Sequence, residues 1–231
     1  MNTQTSFVNN PCTIISGGLR RAKVNSQCHQ RVVIVLDGSG SMNENNKARD
    51  ASAATAGLCQ ELALPVNKDA FEVAVIRFSN SAKVIHPFEP ASSLTGHLQP
   101  LKVGFLDGAT NLTAGLELAH KLLEPAAVAP SAAAIRHIKP LVVVMSDGMH
   151  NRGSGPIPAA NRLKELADVL AVAFGDDADE EMLQAIATEQ LSVRCRTGAE
   201  LRGYFAEIGR TLTVTRAAGI NATVALAHPQ P

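Results

Sequence analysis

Three short stretches of this 231-residue chain carry oxygen-bearing side chains at spacings that suit a hard cation. The first, Asp37-Gly38-Ser39-Gly40-Ser41-Met42, ends an apolar run that follows Arg31 and offers one carboxylate and two hydroxyls at alternate positions. The second, Asp107-Gly108-Ala109-Thr110-Asn111-Leu112, puts a threonine in a glycine-containing turn just before a helical pattern. The third, Ser146-Asp147-Gly148, closes another apolar run. Two carboxylates brought together repel one another unless a cation lies between them. With Ser39, Ser41 and Thr110 they make five hard oxygen donors without nitrogen or sulfur, a set that suits Mg²⁺ or a similar ion whose remaining positions are filled by water.

For these stretches to meet, the chain must bring them to one edge. Strand-like apolar runs at residues 32–36, 71–78, 83–88, 141–145 and 169–174, with a weaker one at 192–196, alternate with helical patterns. That rhythm predicts an α/β fold with a doubly wound, mostly parallel central sheet flanked by helices. Runs apolar at nearly every position fit strands covered on both faces. The helical stripes run through Ala48, Ala51, Thr55, Leu58, Cys59 and Leu62; through Leu112, Leu116, Ala119, Leu122 and Leu123; and, more briefly, near Arg162 to Leu166. Two more carry Met182, Leu183, Ile186 and Ala187, and then Leu201, Phe205, Ile208 and Leu212. In an open parallel sheet all strands end on one edge, so Asp37 and Asp147 converge although 110 positions separate them. Residues 125–140 are rich in Ala and Pro and predict a connection, in part helical. Residues 1–30 and 214–231 fall outside the rhythm as terminal extensions to a domain at 31–213, and the β-branched stretch from Thr213 predicts an edge strand.

The pattern D-x-S-x-S with a distant T and a distant D resembles the metal-ion-dependent adhesion site of the von Willebrand factor A (vWA) family. Asp37, Ser39, Ser41, Thr110 and Asp147 match all five positions, and Met42 and Gly148 are also usual there. Ala109 departs from the pattern, standing where many members have a second glycine. The resemblance implies a non-enzymatic, divalent-metal-dependent protein-binding module. Its ion, Mg²⁺ or else Mn²⁺ or Ca²⁺, would be completed by an Asp or Glu carboxylate of a protein partner. The sequence shows no export signal, which gives the cytoplasm as the expected location and makes the resemblance nearer to intracellular bacterial members, such as the stand-alone vWA proteins of tellurite-resistance operons. The alternative is a Mg²⁺-dependent phosphotransferase resembling the haloacid dehalogenase family, with Asp37 as nucleophile, Ser146 after a later strand and Gly175-Asp176 after another. Against it, Ser39 stands where that family has its second acid, the usual general acid–base group.

Plainer readings accompany each fragment. Thr110 could simply cap its helix, and Asp177 or Asp179 is expected to cap the helix that follows them rather than to form a second metal site. The seven histidines form no ligand cluster, and Asn111-Leu112-Thr113 and Asn221-Ala222-Thr223 match glycosylation acceptors by coincidence. Cys12, Cys28, Cys59 and Cys195 lack C-x-x-C spacing, so a zinc knuckle is not expected; a Cys12–Cys28 bridge would need an oxidising compartment. With 21 basic and 21 acidic residues no bulk field draws nucleic acid or an anionic membrane, and 3% aromatic content leaves few stacking platforms.

Overall fold

The central apolar runs form strands because both of their faces find a helix layer to pack against. A computed structural model describes residues 28–94, 108–124 and 136–227. Along the chain lie β1 (Cys28–Asp37), α1 (Lys47–Leu62), β2 (Phe71–Phe78), β3 (Ala82–Pro90) and the single turn α2 (Ala91–Leu94). Then come α3 (Leu112–Leu123), β4 (Arg136–Ser146), α4 (Pro156–Leu166), β5 (Asp168–Phe174) and α5 (Glu180–Ile186). The chain continues through β6 (Ser192–Cys195), α6 (Gly198–Ala218) and α7 (Thr223–Ala227). The sheet order is β3-β2-β1-β4-β5-β6, parallel throughout except for β3, which runs antiparallel to β2 at one edge. This is the doubly wound α/β architecture expected from the alternation.

Residues 32–36 are all 0% exposed, and their side chains alternate between two cores. Val32, Ile34 and Leu36 join Leu58, Leu62, Phe205 and Ile208 on the α1/α6 side. Val33 and Val35 join Leu112, Leu116, Ala160 and Leu163 on the α3/α4 side. Burying each such side chain contributes about 1.5–3 kcal/mol, which fixes the register of β1 and with it the position of Asp37. The helices α1 and α6 approach so closely that a Cβ on Gly209 would stand 2.5 Å from the Cβ of Glu61.

Two expectations are corrected. Residues 136–140 are the first half of β4, not connection. Pro140 sits where the β1–β4 register slips, between Gln30 opposite Ile138 and Val32 opposite Leu141, and such an irregularity tolerates a residue without an N–H. Residues 125–135 lie outside the described residues. The edge strand expected from Thr213 is instead the end of α6, followed by α7. Its β-branched residues stay helical because Leu212, Thr215 and Arg216 are buried there, and Thr215 Oγ1 donates back to the Thr211 carbonyl at 2.8 Å. Gly219, at φ 71°, then ends the helix in a left-handed turn. The helix near Arg162 begins earlier than its stripe, at Pro156, since prolines are tolerated in a first turn.

Candidate metal centre

β1 is the switch point of the sheet: the chain leaves it towards β2 on one side and returns as β4 on the other, and the ends of β1 and β4 are where an open α/β sheet places its ligand site. Asp37 ends β1 and is 0% exposed; Ser146 ends β4, and Asp147 beyond it is also 0% exposed. The Ser146 hydroxyl donates to Asp37 Oδ2 at 2.5 Å, and the Ser39 backbone N–H donates to Asp37 Oδ1 at 2.7 Å. The turn after β1 brings Ser39 Oγ to 3.1 Å from Ser41 Oγ, and Ser41 Oγ donates to Asp147 Oδ1 at 2.8 Å. Ser39 and Ser41 therefore link the two acids through hydrogen bonds. Burial pushes the Asp37 carboxyl up to about 6; the hydrogen bonds from Ser146 and Ser39 restrain the rise, and the neighbouring Asp147 carboxylate adds to it.

Thr110 arrives from a third direction. It is buried, and a Cβ built on Gly148 would stand 3.4 Å from Ser41 Oγ and 3.5 Å from Thr110 Oγ1, so both hydroxyls flank the same glycine. The loop carrying Thr110 is tied to its neighbours through the backbone. Gly40 N–H donates to the Gly108 carbonyl at 3.4 Å, Thr110 N–H to Asn151 Oδ1 at 2.8 Å, and Asn151 N–H to the Thr110 carbonyl at 3.2 Å. Ala109 keeps a negative φ, so its methyl brings no left-handed strain, and its N–H donates to Asn80 Oδ1 at 3.0 Å.

The model of the von Willebrand factor type A domain matches residues 32–201. The chain belongs to that family. Its members commonly bind a divalent metal at a metal-ion-dependent adhesion site and mediate protein interactions. Among curated proteins, none matches this sequence. Several solved structures share the fold. Proximal thread matrix protein 1 from the mussel byssus, solved with a zinc-occupied MIDAS motif, aligns at TM-score 0.65 and 20% identity over 83% of this chain and 48% of that one. A von Willebrand factor type A protein from Catenulispora acidiphila aligns at 0.65 and 21% over 82% and 43%. The pilus adhesin SpaC from Lactobacillus rhamnosus GG aligns at 0.64 and 15% over 80% and 30%. The chain thus spans about half the length of the mussel protein and less of the other two.

In this vWA domain several residues that sequence reasoning passed over support the site. Lys47, the first residue of α1, donates from Nζ to Asp147 Oδ2 at 2.8 Å, with its side chain 7% exposed. Ser146 and Asn151 hold Asp37 and the Thr110 backbone as described. His150, expected to be incidental, accepts from the Leu112 N–H at 3.3 Å through Nδ1, where α3 begins. Thr110 is not the cap of α3; Asn111 is, its Oδ1 accepting from Ala114 N–H at 3.1 Å. Asp179 caps α5 as expected, accepting from Met182 N–H at 3.0 Å. Asp176, which the phosphotransferase alternative needs at the centre, is exposed and paired with Arg194 at 3.2 Å. Asn111 and Asn221 have their side chains engaged, the latter donating to Asp168 Oδ2 at 2.6 Å. Cys28, Cys59 and Cys195 are buried free thiols; Cys12 lies outside the described residues.

The donor set fits a divalent hard ion. Two buried acids stand close enough for one to raise the other's pKa, and the hydroxyls beside them are oxygens that can turn lone pairs to a cation. Among the described residues no cluster of three His, Cys, Asp or Glu groups offers a rival site.

Proposed function

We propose that this vWA domain is a non-enzymatic, divalent-metal-dependent protein-binding module, with Asp37, Ser39, Ser41, Thr110 and Asp147 as the residues that hold the ion. The observation that carries the proposal is the hydroxyl bridge between two buried acids, Asp147 Oδ1 to Ser41 Oγ to Ser39 Oγ beside Asp37. Asp147 is paired with Lys47, whereas the buried Asp37 carboxylate has only hydrogen bonds; a bound divalent ion supplies the charge that offsets its burial, together with an electrophilic face. Asp37 accepts the Ser146 hydroxyl on one oxygen and the Ser39 N–H on the other, which fixes its plane before any ion arrives. Few charged protein ligands leave the bound ion short of negative charge, so an acid from a partner gains a strong contact. Mg²⁺ is the ion proposed, with Mn²⁺ and Ca²⁺ as close substitutes for an all-oxygen set.

The binding unit proposed is residues 31–213, to which the start of β1 at Cys28 and the end of α6 at Ala218 also belong; the remaining terminal residues are the extensions. The cytoplasm is the proposed location, supported by the three buried free thiols, which suit a reducing compartment. No helix among the described residues is long and apolar enough to cross a membrane.

The test is capture of carboxylate-bearing partner proteins with Mg²⁺ and with EDTA, using the wild type and Asp37→Ala. Binding that needs both the metal and Asp37 supports the module. Binding of full strength in EDTA removes the metal from the mechanism, and Mg²⁺-dependent turnover of generic phosphomonoesters abolished by Asp37→Asn would favour the enzyme instead.

A further inference from the structure

A buried lysine is an unexpected neighbour for a cation site. Lys47 opens α1, an end where the helix dipole disfavours positive charge, yet its ammonium lies 2.8 Å from Asp147 Oδ2 with almost no solvent exposure on either side chain. The room for it is specific. Gly175, just after β5, adopts φ +93°, and a Cβ there would stand 3.1 Å from Lys47 Cε and 3.3 Å from Nζ. The ammonium therefore rests against bare backbone at the carboxyl end of β5. Two successive left-handed residues, Asn45 at φ 51° and Asn46 at φ 61°, set the start of α1 from which Lys47 reaches inward. Asparagine tolerates this conformation better than other residues that carry a side chain.

Two consequences follow from the position. Asp147 has one oxygen engaged by Lys47 and the other turned to Ser41. The charge balance of the site also changes. Two carboxylates and a divalent ion sum to zero formal charge; with Lys47 the loaded site carries one net positive charge, which adds to the ion's own attraction for an acid. Because the groups are buried, salt and water screen this charge weakly.

We propose, resting on the function proposed above, that Lys47 is a resident counter-charge of the metal site. It weakens the site's hold on the ion and strengthens the loaded site's attraction for an anionic ligand. Lys47 is a positioning and charge-setting residue, not itself an ion ligand.

The test uses the full chain with Mn²⁺ as metal and acetate as the anion. Mn²⁺ affinity is read by electron paramagnetic resonance, and acetate binding to the loaded protein by its effect on water proton relaxation. Lys47→Met removes the charge, and Lys47→Gln removes it while keeping a donor for Asp147. In both variants Mn²⁺ is expected to bind about tenfold more tightly, while acetate affinity at the loaded site falls about fivefold or more. These opposite shifts are not what mere loss of structure produces, since a distorted site loses both ligands together. If both variants fold, as judged by circular dichroism, and bind Mn²⁺ no more tightly than the wild type, Lys47 is only a structural anchor and the proposal fails while the metal site stands. If the wild type itself binds no Mn²⁺, both fall.

Discussion

The hydroxyl of Ser146 and the carboxylate of Asp37 meet at 2.5 Å across the ends of two neighbouring parallel strands, 109 positions apart in the chain. The contact exists because the β1–β4 register, Leu36 opposite Met145, delivers both residues to the same level of the sheet. It makes Ser146 the support of Asp37. Ser146→Ala is expected to lower Mn²⁺ affinity by ~10–100-fold, the usual cost of losing a group that orients a metal ligand, with little change in the far-ultraviolet circular dichroism. Unchanged affinity would contradict the support role.

Asp37 also gives the ion-free protein a pH dependence of definite sign. Its carboxyl is raised from 3.8 to about 6 by burial, against the pull of its hydrogen bonds. Between those values the folded state keeps a proton that the unfolded chain has released, so stability falls as pH rises through this window and levels off above it. In EDTA, Asp37→Asn is expected to be more stable than the wild type at pH 7, by on the order of 2–3 kcal/mol, with the gap closing towards pH 4. Urea denaturation at several pH values measures this. A gap independent of pH would show that Asp37 is not the group responsible.

At the opposite edge of the sheet, Asp168 anchors the end of the chain. It accepts from Lys139 Nζ at 2.8 Å, from Asn221 Nδ2 at 2.6 Å and from Thr223 Oγ1. Burial alone would raise its pKa, but these partners hold the carboxyl below its usual value. Asp168→Ala removes the acceptor shared by three donors and is expected to cost about 1–3 kcal/mol, with faster amide exchange in α7 as the local sign. Exchange in α7 at the wild-type rate would refute the anchor.

Two glycines of α6 are expected to respond in opposite directions to the same substitution. Gly203 has nothing within 4 Å of a built Cβ, so Gly203→Ala gains about 0.5–1 kcal/mol from helix propensity. Gly209 faces the Cβ of Glu61 at 2.5 Å, and Gly209→Ala is expected to lose about 1–3 kcal/mol by forcing α6 away from α1. Thermal denaturation of the pair decides; equal shifts would mean that α1 and α6 do not pack as described.

The central strands and the placement of Asp37 and Asp147 at their ends are legible in the sequence because both rest on a local pattern: apolar runs for buried strands, and acids that close them. What escaped depends on partners remote in sequence. Lys47 belongs to no motif, and its partner Asp147 lies 100 positions away, so nothing local marks it. The role of Ser146 rests on Asp37, 109 positions away, and so leaves no local sign. The threonines and valine beyond residue 212 favoured a strand on propensity, and packing of α6 against α1 overrode them. Pro140 hid the first half of β4 because nothing local announces that the register slips there.

The most direct measurement is the anomalous difference density of a crystal soaked in Mn²⁺. The account predicts a single strong peak among Asp37, Ser39, Ser41, Thr110 and Asp147, within about 2.0–2.6 Å of at least some of their oxygens. No peak there, or a peak held by other residues, would contradict it.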